Sequence, residues 1–502
     1  MNALYCCCVL DPWIDVAKIL IDKFNIEPVY WIGWNENNES NQCHEFFPNI
    51  IYHDISDAWK GIFPDNVEIN NSNIDLIDIL EQNFFHELVT IKMIDRLDPD
   101  QRSFNFTERQ RFYRSLLEKW YKIIDNYKID LIIAPAIPHR VFDYVIYIIS
   151  KYLKLKFMTI IMTSIPDLIL ITEDVYHLPP KLITRYNSLI SKNDRIYLTN
   201  NIRKYLTNLK NEYKHAEPEY MKRLRDTIVL KRKFPPIYLI PIRIINRFIN
   251  NHKLVKTYIK DKKKSLEESS FTIKQMKNIK KDGIKYKIFL KNYYEDICIQ
   301  YNKNIDYAFV ALHYQPEETS CPLGGIFADQ LIIVKLLKKI IPSNWTIYIK
   351  EHVSQFHPEL EGETGRDIHF YNELKKIRGV QFISTNVNPF EVIDNARFVA
   401  TITGTIGWEA INRNKPVLVF GNAWYKHCNG AFIIQNEEDI IEAVNKIVKG
   451  FSVNDELVEK YVQACVEVGQ FAYHYKGLKE SSGITHDESV KALVDGLAEY
   501  FV

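Results

Sequence analysis

The turn Thr403-Gly404-Thr405 has residue types that fit one chemical task, the binding of an anion. It lies between two short apolar runs, residues 399–402 and 416–420, and a segment with helical propensity follows it. Such a turn exposes backbone N–H groups and two hydroxyls at a helix N-terminus, where the helix dipole favours negative charge. The pattern predicts a pocket for the phosphate or diphosphate of an activated sugar. The alternative is an ordinary strand-to-helix turn with a threonine cap.

Three further polar loops follow predicted strands in the same half of the chain. They are residues 313–320, Lys350-Glu351-His352 and Ser384-Thr385-Asn386. Ligands of α/β sheets bind at the carboxyl ends of the strands, so we expect all four loops on one rim. A lysine, two histidines and a hydroxyl-rich turn on one rim suit an anionic nucleotide.

Physical need assigns a role to each residue of this rim. Lys350 and the amides of the turn neutralise the donor phosphate, whose departure is the central event of a transfer. His352 is expected to hydrogen-bond the phosphate or ribose, unless it is a core histidine. Glu409, on the helix after the turn, is expected to accept sugar hydroxyls, unless it is a solvated helix residue. Glu351 also belongs to the predicted nucleotide-binding set.

The catalytic base or nucleophile is expected to come from the N-terminal domain, across a cleft. His139 follows the apolar run 130–135, and Glu173 follows the apolar run 168–171. Each places an imidazole or carboxylate at a strand end, as general base catalysis requires. Glu317, in the loop 313–320, is a third candidate. A capping, structural or solvated role is the alternative for all three.

Alternating apolar and helical segments position these loops and predict an α/β fold with doubly wound parallel sheets. We predict four parts. They are an N-terminal acceptor and catalytic domain (1–200), a basic, mainly helical insertion or linker (201–295), a nucleotide-sugar-binding domain (296–455), and C-terminal helices that cross back to the first domain (456–502).

The formal net charge of +1 hides an asymmetry. Residues 203–287 contain 24 lysines and arginines against 8 acidic residues, whereas the rest of the chain has 40 basic against 55 acidic residues. We expect this basic stretch to contact anionic lipid or a polyanionic acceptor. The alternative is a solvated helical linker that packs its apolar face on the core. No nucleic acid partner is expected.

Neither a metal nor a cofactor is expected. The eight cysteines show no Cys-x-x-Cys spacing, and Asp98-Pro99-Asp100 precedes a helical run, where a capping role is expected. The chain has no secretory signature and no apolar run of about 18–20 residues. We therefore expect a cytoplasmic protein that associates with the inner face of the membrane through residues 203–287.

Residues 305–435 resemble the bacterial capsule polysaccharide biosynthesis proteins, which include the Kdo transferases of capsule and lipopolysaccharide assembly. The resemblance is carried by Gln315-Pro316-Glu317, Pro322-Leu323-Gly324-Gly325, Phe327-Ala328-Asp329-Gln330, Lys350-Glu351-His352, and residues 401–405, 407–410 and 415–425. It implies a GT-B fold, two Rossmann-like domains with the donor nucleotide held mainly by the second.

Similar enzymes grip CMP with a His-Pro motif and a Ser/Thr-rich motif, which correspond here to His352 and the Thr403-Gly404-Thr405 turn. Val353 stands where the family usually has proline, and His357-Pro358 follows, so either histidine is a candidate. The matched motifs add Gln315 and Asn422 to the predicted donor site.

The resemblance implies a metal-independent glycosyltransferase of capsule or lipopolysaccharide synthesis. It would transfer a CMP-activated acidic sugar such as Kdo to a glycan or lipid-linked acceptor. One alternative is a UDP- or GDP-sugar transferase, or a sugar-nucleotide epimerase, of the same fold. Another is a non-catalytic polysaccharide export or scaffold protein.

Overall fold

The computed structural model describes residues 1–34, 38–67, 69, 74–98, 104–192, 194–211, 273–317, 320–358 and 360–501. They form two seven-stranded sheets connected by helices, which confirms the predicted α/β, GT-B-like fold class. The central part of the basic stretch, residues 212–272, lies outside the described residues. No helix in the described ranges is both long and apolar enough to cross a bilayer.

The first sheet consists of β1 (Asn2–Cys6), β2 (Glu27–Gly33), β3 (Ile51–Asp54), β4 (Ile129–Ala134), β5 (Lys156–Met162), β6 (Leu168–Thr172) and β14 (Gln470–Phe471). Its strand order is β14-β6-β5-β4-β1-β2-β3. Only β6 runs antiparallel to its neighbours among these strands. The order reverses between β1 and β4, and the loops after these two strands therefore open a crevice.

The second sheet consists of β7 (Cys298–Ile299), β8 (Tyr307–Ala311), β9 (Thr346–Lys350), β10 (Val380–Ile383), β11 (Phe398–Thr401), β12 (Val417–Val419) and β13 (Ala431–Ile433). Its order is β13-β12-β11-β8-β9-β10-β7, and every pairing is parallel. The four predicted polar loops follow β8, β9, β10 and β11, so they share one sheet edge as expected.

Helices connect and cover the strands. They are α1 (Leu10–Phe24), α2 (Glu39–Phe46), α3 (Ile55–Trp59), α4 (Leu76–Gln82), α5 (Phe84–Met93), α6 (Phe106–Asn126), α7 (Phe142–Tyr152), α8 (Pro180–Ser191), α9 (Asn200–Lys210), α10 (Ile273–Ile297), α11 (Gln330–Ile340), α12 (Ile368–Lys376), α13 (Pro389–Asn395), α14 (Thr405–Asn412), α15 (Glu437–Val448), α16 (Asp455–Val468), α17 (Lys476–Lys479) and α18 (His486–Ala498).

Local sequence explains why α6 forms where it does. Asn105 accepts a hydrogen bond from the backbone N–H of Glu108, and the Glu108 carboxylate accepts one from the backbone N–H of Asn105. This capping box satisfies two amides that the first turn leaves without helical partners. Tyr113, Leu116 and Trp120 then recur at helical spacing and are buried in the core of the first domain.

The last helices return to the first sheet. β14 pairs with β6, and Leu493 of α18 lies in the same apolar cluster as Trp13 of α1. The Tyr473 hydroxyl and the Lys479 ammonium both donate to Asp11, at 2.9 and 2.7 Å. The C-terminal segment is therefore part of the first domain's core.

β1 ends at Cys6, because Cys7 adopts a left-handed conformation with φ of 65°. One local prediction is wrong. Asp98 does not cap α6, since Asn105 does. Asp98 is instead fully buried, accepts a hydrogen bond from the Phe104 amide and pairs with Arg109 at 3.2 Å. Asp100 lies outside the described residues.

Candidate functional site

A cavity of about 460 Å³ lies where the facing edges of the two sheets meet. The first domain contributes Trp34, Trp59, Arg96, His139 and Arg140, and the second contributes Tyr314, Pro316, Glu317, His352, Ser354 and Leu360. Three of the predicted site residues, His139, Glu317 and His352, therefore meet in one space although they are far apart in sequence.

His139 is held in the loop after β4 by the buried carboxylate of Asp143. That carboxylate accepts hydrogen bonds from the backbone N–H groups of His139, Arg140 and Tyr144, at 3.0, 2.6 and 2.7 Å. The His139 Nδ1 atom lies 2.6 Å from the carbonyl oxygen of Ile137. A carbonyl can only accept, so Nδ1 carries a proton, and in the neutral ring Nε2 has the lone pair. This tautomer is the one that a general base requires.

His352 follows β9 and has the opposite tautomer. Its Nδ1 atom accepts a hydrogen bond of 3.2 Å from the backbone N–H of Ser354, so Nε2 carries the proton. Burial, together with the charges of Lys350 and Arg366, lowers the pKa of His352 to about 4. At neutral pH this side chain is therefore an uncharged hydrogen-bond donor in the cavity wall.

The two histidine candidates for the donor site, His352 and His357, differ in their position relative to the cavity. His357 is buried, and its carbonyl accepts a hydrogen bond of 3.2 Å from the Lys287 ammonium. It is not among the cavity-lining residues of the described chain, whereas His352 is.

The Thr403-Gly404-Thr405 turn starts α14 and is fastened to the loop after β8 by His313. The Nε2 atom of His313 accepts from the backbone N–H of Ile402 at 3.1 Å and lies 2.9 Å from the hydroxyl of Thr401. Burial is the main cause that lowers the pKa of His313 to about 3. Its Nδ1 atom lies 3.9 Å from the Glu317 carboxylate, so this neutral ring joins the turn to the cavity wall.

Close packing explains the glycine of this turn. A Cβ atom added at Gly404 would lie 2.8 Å from the Thr401 hydroxyl, whose oxygen accepts a hydrogen bond from the Gly404 amide. Thr405, the first residue of α14, is exposed. The turn presents its helix N-terminus to solvent beside the cavity, and it does not line the cavity itself.

The model of the family described as "Capsule polysaccharide biosynthesis protein" matches residues 243–431. Over this segment the chain is similar to that family. The match contains the loops after β8, β9, β10 and β11, and it confirms the resemblance that the motifs indicate. No curated protein matches the chain.

Solved structures similar to the chain are remote. A UDP-GlcNAc 2-epimerase from Neisseria meningitidis has 13% identity over 99% of this chain and 100% of that chain, with a TM-score of 0.23. KpsC from Thermosulfurimonas dismutans, a β-Kdo 2,7 transferase, has 13% identity over 75% and 89%, with a TM-score of 0.29. Anabaena Alr3699/HepE has 10% identity over 100% and 99%, with a TM-score of 0.23. Scores this low carry no argument about activity.

Within the matched segment, Glu351 is not among the cavity-lining residues, and its carboxylate makes internal contacts. One carboxylate oxygen accepts from the His352 amide at 2.8 Å. The other accepts from Arg366 at 2.9 Å and from the Tyr371 hydroxyl at 2.8 Å. Arg366 also donates to the His313 carbonyl at 3.0 Å. The buried Glu351–Arg366 ion pair therefore connects the loop that contains His313 to the loop that contains His352.

Three other predicted donor residues of the segment also make internal contacts. The Gln315 side chain donates to Ser320 within its own loop. The Asn422 side chain donates to the carbonyl of Val175 at 2.7 Å and so joins the two domains. The Lys350 ammonium donates to the carbonyl of Thr385 at 3.0 Å. Burial lowers the pKa of Lys350 to about 8, although Glu295 and Glu351 oppose this shift.

Glu409 lies one turn after Thr405 on α14 and is 5% exposed. Burial raises the pKa of Glu409 to about 7, and the charge of Arg413 opposes this shift. It is therefore a buried residue that is partly protonated near neutral pH, and the solvated alternative is excluded.

Glu173 is not among the cavity-lining residues of the described chain, and its catalytic role stays a prediction. It follows β6, whose last residue, Thr172, pairs with Thr159 of β5, level with Ala134 at the end of β4. Glu173 is exposed, and its carbonyl accepts from Lys151 at the end of α7.

Sequence patterns missed most of the first-domain wall. Trp59 ends α3, and Arg96 lies in the turn after α5, so neither follows a strand of the sheet. Trp34 comes directly after β2, and that position is the one signal that could have identified it. Within the described ranges, no three His, Cys, Asp or Glu side chains are placed to hold a metal ion.

Proposed function

We propose that the protein is a glycosyltransferase of bacterial surface polysaccharide synthesis. It would transfer a sugar from a nucleotide donor, a CMP-activated acidic sugar such as Kdo, to a glycan or lipid-linked acceptor. The proposal rests on one observation, that His139 and His352 line one cavity from two domains with opposite tautomers.

These tautomers match the two proton tasks of sugar transfer. The acceptor hydroxyl gives its proton to Nε2 of His139 as its oxygen bonds to the anomeric carbon. The bond from that carbon to the phosphate oxygen breaks, and the phosphate keeps the electron pair. The Nε2–H group of His352 donates to this phosphate, and the free amides at the start of α14 stabilise its charge. Glu317 is the second candidate for the base.

The donor assignment comes from the family motifs, in which His352 and the Thr403-Gly404-Thr405 turn match the CMP-gripping positions. Calorimetry and thermal shift with CMP, UDP and GDP test it. We expect CMP to stabilise the protein, and His352→Gln to weaken CMP binding about tenfold, while the exposed His369→Gln leaves it unchanged. Binding of none of the three would overturn the transferase proposal, and binding of UDP alone would overturn the acidic-sugar donor.

An epimerase and a scaffold protein give different results in the same preparation. An epimerase converts the donor sugar without an acceptor, which NMR of the sugar detects. A scaffold protein binds no nucleotide. We expect transfer that needs an acceptor and persists in EDTA, because protein groups meet the donor phosphate. Transfer that depends on added metal would contradict the expected metal independence.

We further propose that the protein works in the cytoplasm at the inner face of the membrane, through residues 203–287. The charge of this stretch supports the proposal, because the stretch contains 24 basic residues and only 8 acidic residues. Binding to anionic liposomes should weaken as salt rises. Binding that survives reversal of these charges would contradict it.

A further inference from the structure

We propose that the first-domain wall of the cavity is an acceptor subsite that selects a sugar carrying an anionic group, a carboxylate or a phosphate. This inference rests on the proposed function and adds the chemical class of the acceptor. It is carried by Arg96, Arg140, Trp34 and Trp59, all of which line the cavity beside His139.

Arg96 has a neutral hydrogen-bond partner, and its charge also acts on the Glu361 carboxylate, where it opposes the rise in pKa that burial causes. Its guanidinium donates to the carbonyl of His139 at 2.8 Å, which is a neutral partner. The neighbouring carboxylates, Asp95 and Asp98, pair with Arg109 at 2.5 and 3.2 Å. In the described part of the chain, no carboxylate lies within ion-pair distance of Arg96. A guanidinium at a cavity wall that has no ion-pair partner among the described residues favours an anionic ligand.

Arg140 adds a second guanidinium next to His139. It lies 3.8 Å from one oxygen of Asp143, and the Asp143 carboxylate already accepts from three backbone N–H groups. Among the cavity-lining residues that the structure describes, Glu317 is the one carboxylate, and it lies on the opposite wall. Among these lining residues, the positively charged side chains therefore lie on the first-domain wall.

Trp34 and Trp59 supply flat, half-buried surfaces on the same wall. The carbonyl of Trp34 accepts a hydrogen bond of 2.8 Å from the Tyr52 hydroxyl, which fixes this residue at the end of β2. Indole rings suit the apolar C–H face of a sugar ring. A sugar that stacks here and pairs its anionic group with Arg96 presents its hydroxyl next to His139.

The test compares three forms of one short oligosaccharide, which carry a uronic acid, a phosphate or only neutral sugars. Calorimetry and tryptophan fluorescence report binding to the wild type, Arg96→Gln, Arg96→Lys and the control Arg111→Gln. Arg111 is exposed on α6 and is not among the lining residues. We expect the anionic forms to bind at least tenfold more tightly than the neutral one. Arg96→Gln should abolish this preference, and Arg96→Lys should restore part of it.

Equal affinity for all three forms, or an unchanged preference in Arg96→Gln, would overturn the inference. A preference for the uronic acid or for the phosphate identifies which anion the acceptor carries. CMP binding by Arg96→Gln should equal that of the wild type, which also shows that the variant is folded. If CMP does not bind the wild type, the proposed function fails, whereas the acceptor preference is measured independently of it.

Discussion

His139 and His352 face the same cavity from different domains, and their hydrogen bonds give them opposite proton positions. Nδ1 of His139 lies 2.6 Å from the Ile137 carbonyl, which makes Nε2 the acceptor atom of the neutral ring. Nδ1 of His352 accepts from the Ser354 amide at 3.2 Å, which leaves Nε2 as a donor. One ring can take a proton from an acceptor hydroxyl while the other supports the departing phosphate.

Replacement of His139 tests the base. His139→Gln keeps a polar side chain but removes the proton acceptor, so we expect kcat to fall by about 10² to 10⁴ with little change in KM. Steady-state kinetics measure this, with the exposed His369→Gln as the control. Retained activity would contradict the assignment. Loss of activity in Glu317→Gln but not in His139→Gln would identify Glu317 as the base.

The turn before α14 should contribute to nucleotide affinity. Thr405 is exposed at the first position of the helix, so Thr405→Val removes a hydroxyl beside the free amides without opening the core. We expect nucleotide binding to weaken about three- to tenfold, with no change in Tm, by calorimetry. Thr184→Val on α8, whose hydroxyl donates to Pro180, is the matched control. Unchanged affinity would place the phosphate elsewhere in the cleft.

Glu409 makes stability depend on pH near neutrality. Its pKa in the folded protein is raised to about 7, so between its ordinary value and about 7 the folded state binds more protons than the unfolded state. The free energy of unfolding therefore falls as pH rises through this window, by up to about 3 kcal/mol. Glu409→Gln should remove this loss and raise Tm at pH 8. Urea unfolding from pH 4.5 to 8 measures it, and parallel curves for both proteins would contradict the argument.

The Glu351–Arg366 pair should be a large local contributor to stability. Both side chains are buried, so Glu351→Gln leaves an uncompensated guanidinium and should cost about 3–5 kcal/mol in urea unfolding. The double variant Glu351→Leu/Arg366→Met should recover part of this loss. Glu442→Gln, which breaks the exposed pair with Lys446, is the control and should change stability by less than about 1 kcal/mol. A small effect of Glu351→Gln would contradict the role of the pair.

Periodicity and strand-end position predicted more of the second domain than of the first. In the second sheet every described strand is parallel, so each loop that follows a strand reaches the same edge. His352 and the Thr403-Gly404-Thr405 turn were therefore predictable from their position alone. In the first sheet β6 is antiparallel, so a rule that assumes parallel strands does not locate Glu173, which is not among the cavity-lining residues of the described chain. A short apolar run does not encode its own direction.

The sequence by itself determined the two α/β domains, the shared rim of four polar loops and the presence of His139 at a strand end. Apolar spacing and the chain order of strands and helices are local properties, so they are visible in one dimension. Only the tertiary structure decided three contacts. Glu351 forms an ion pair with Arg366, His313 accepts a hydrogen bond from the backbone before the turn, and Arg96 donates to the carbonyl of His139. Those roles depend on which side chains meet across loops and domains, and burial and charge pairing in the folded chain decide that.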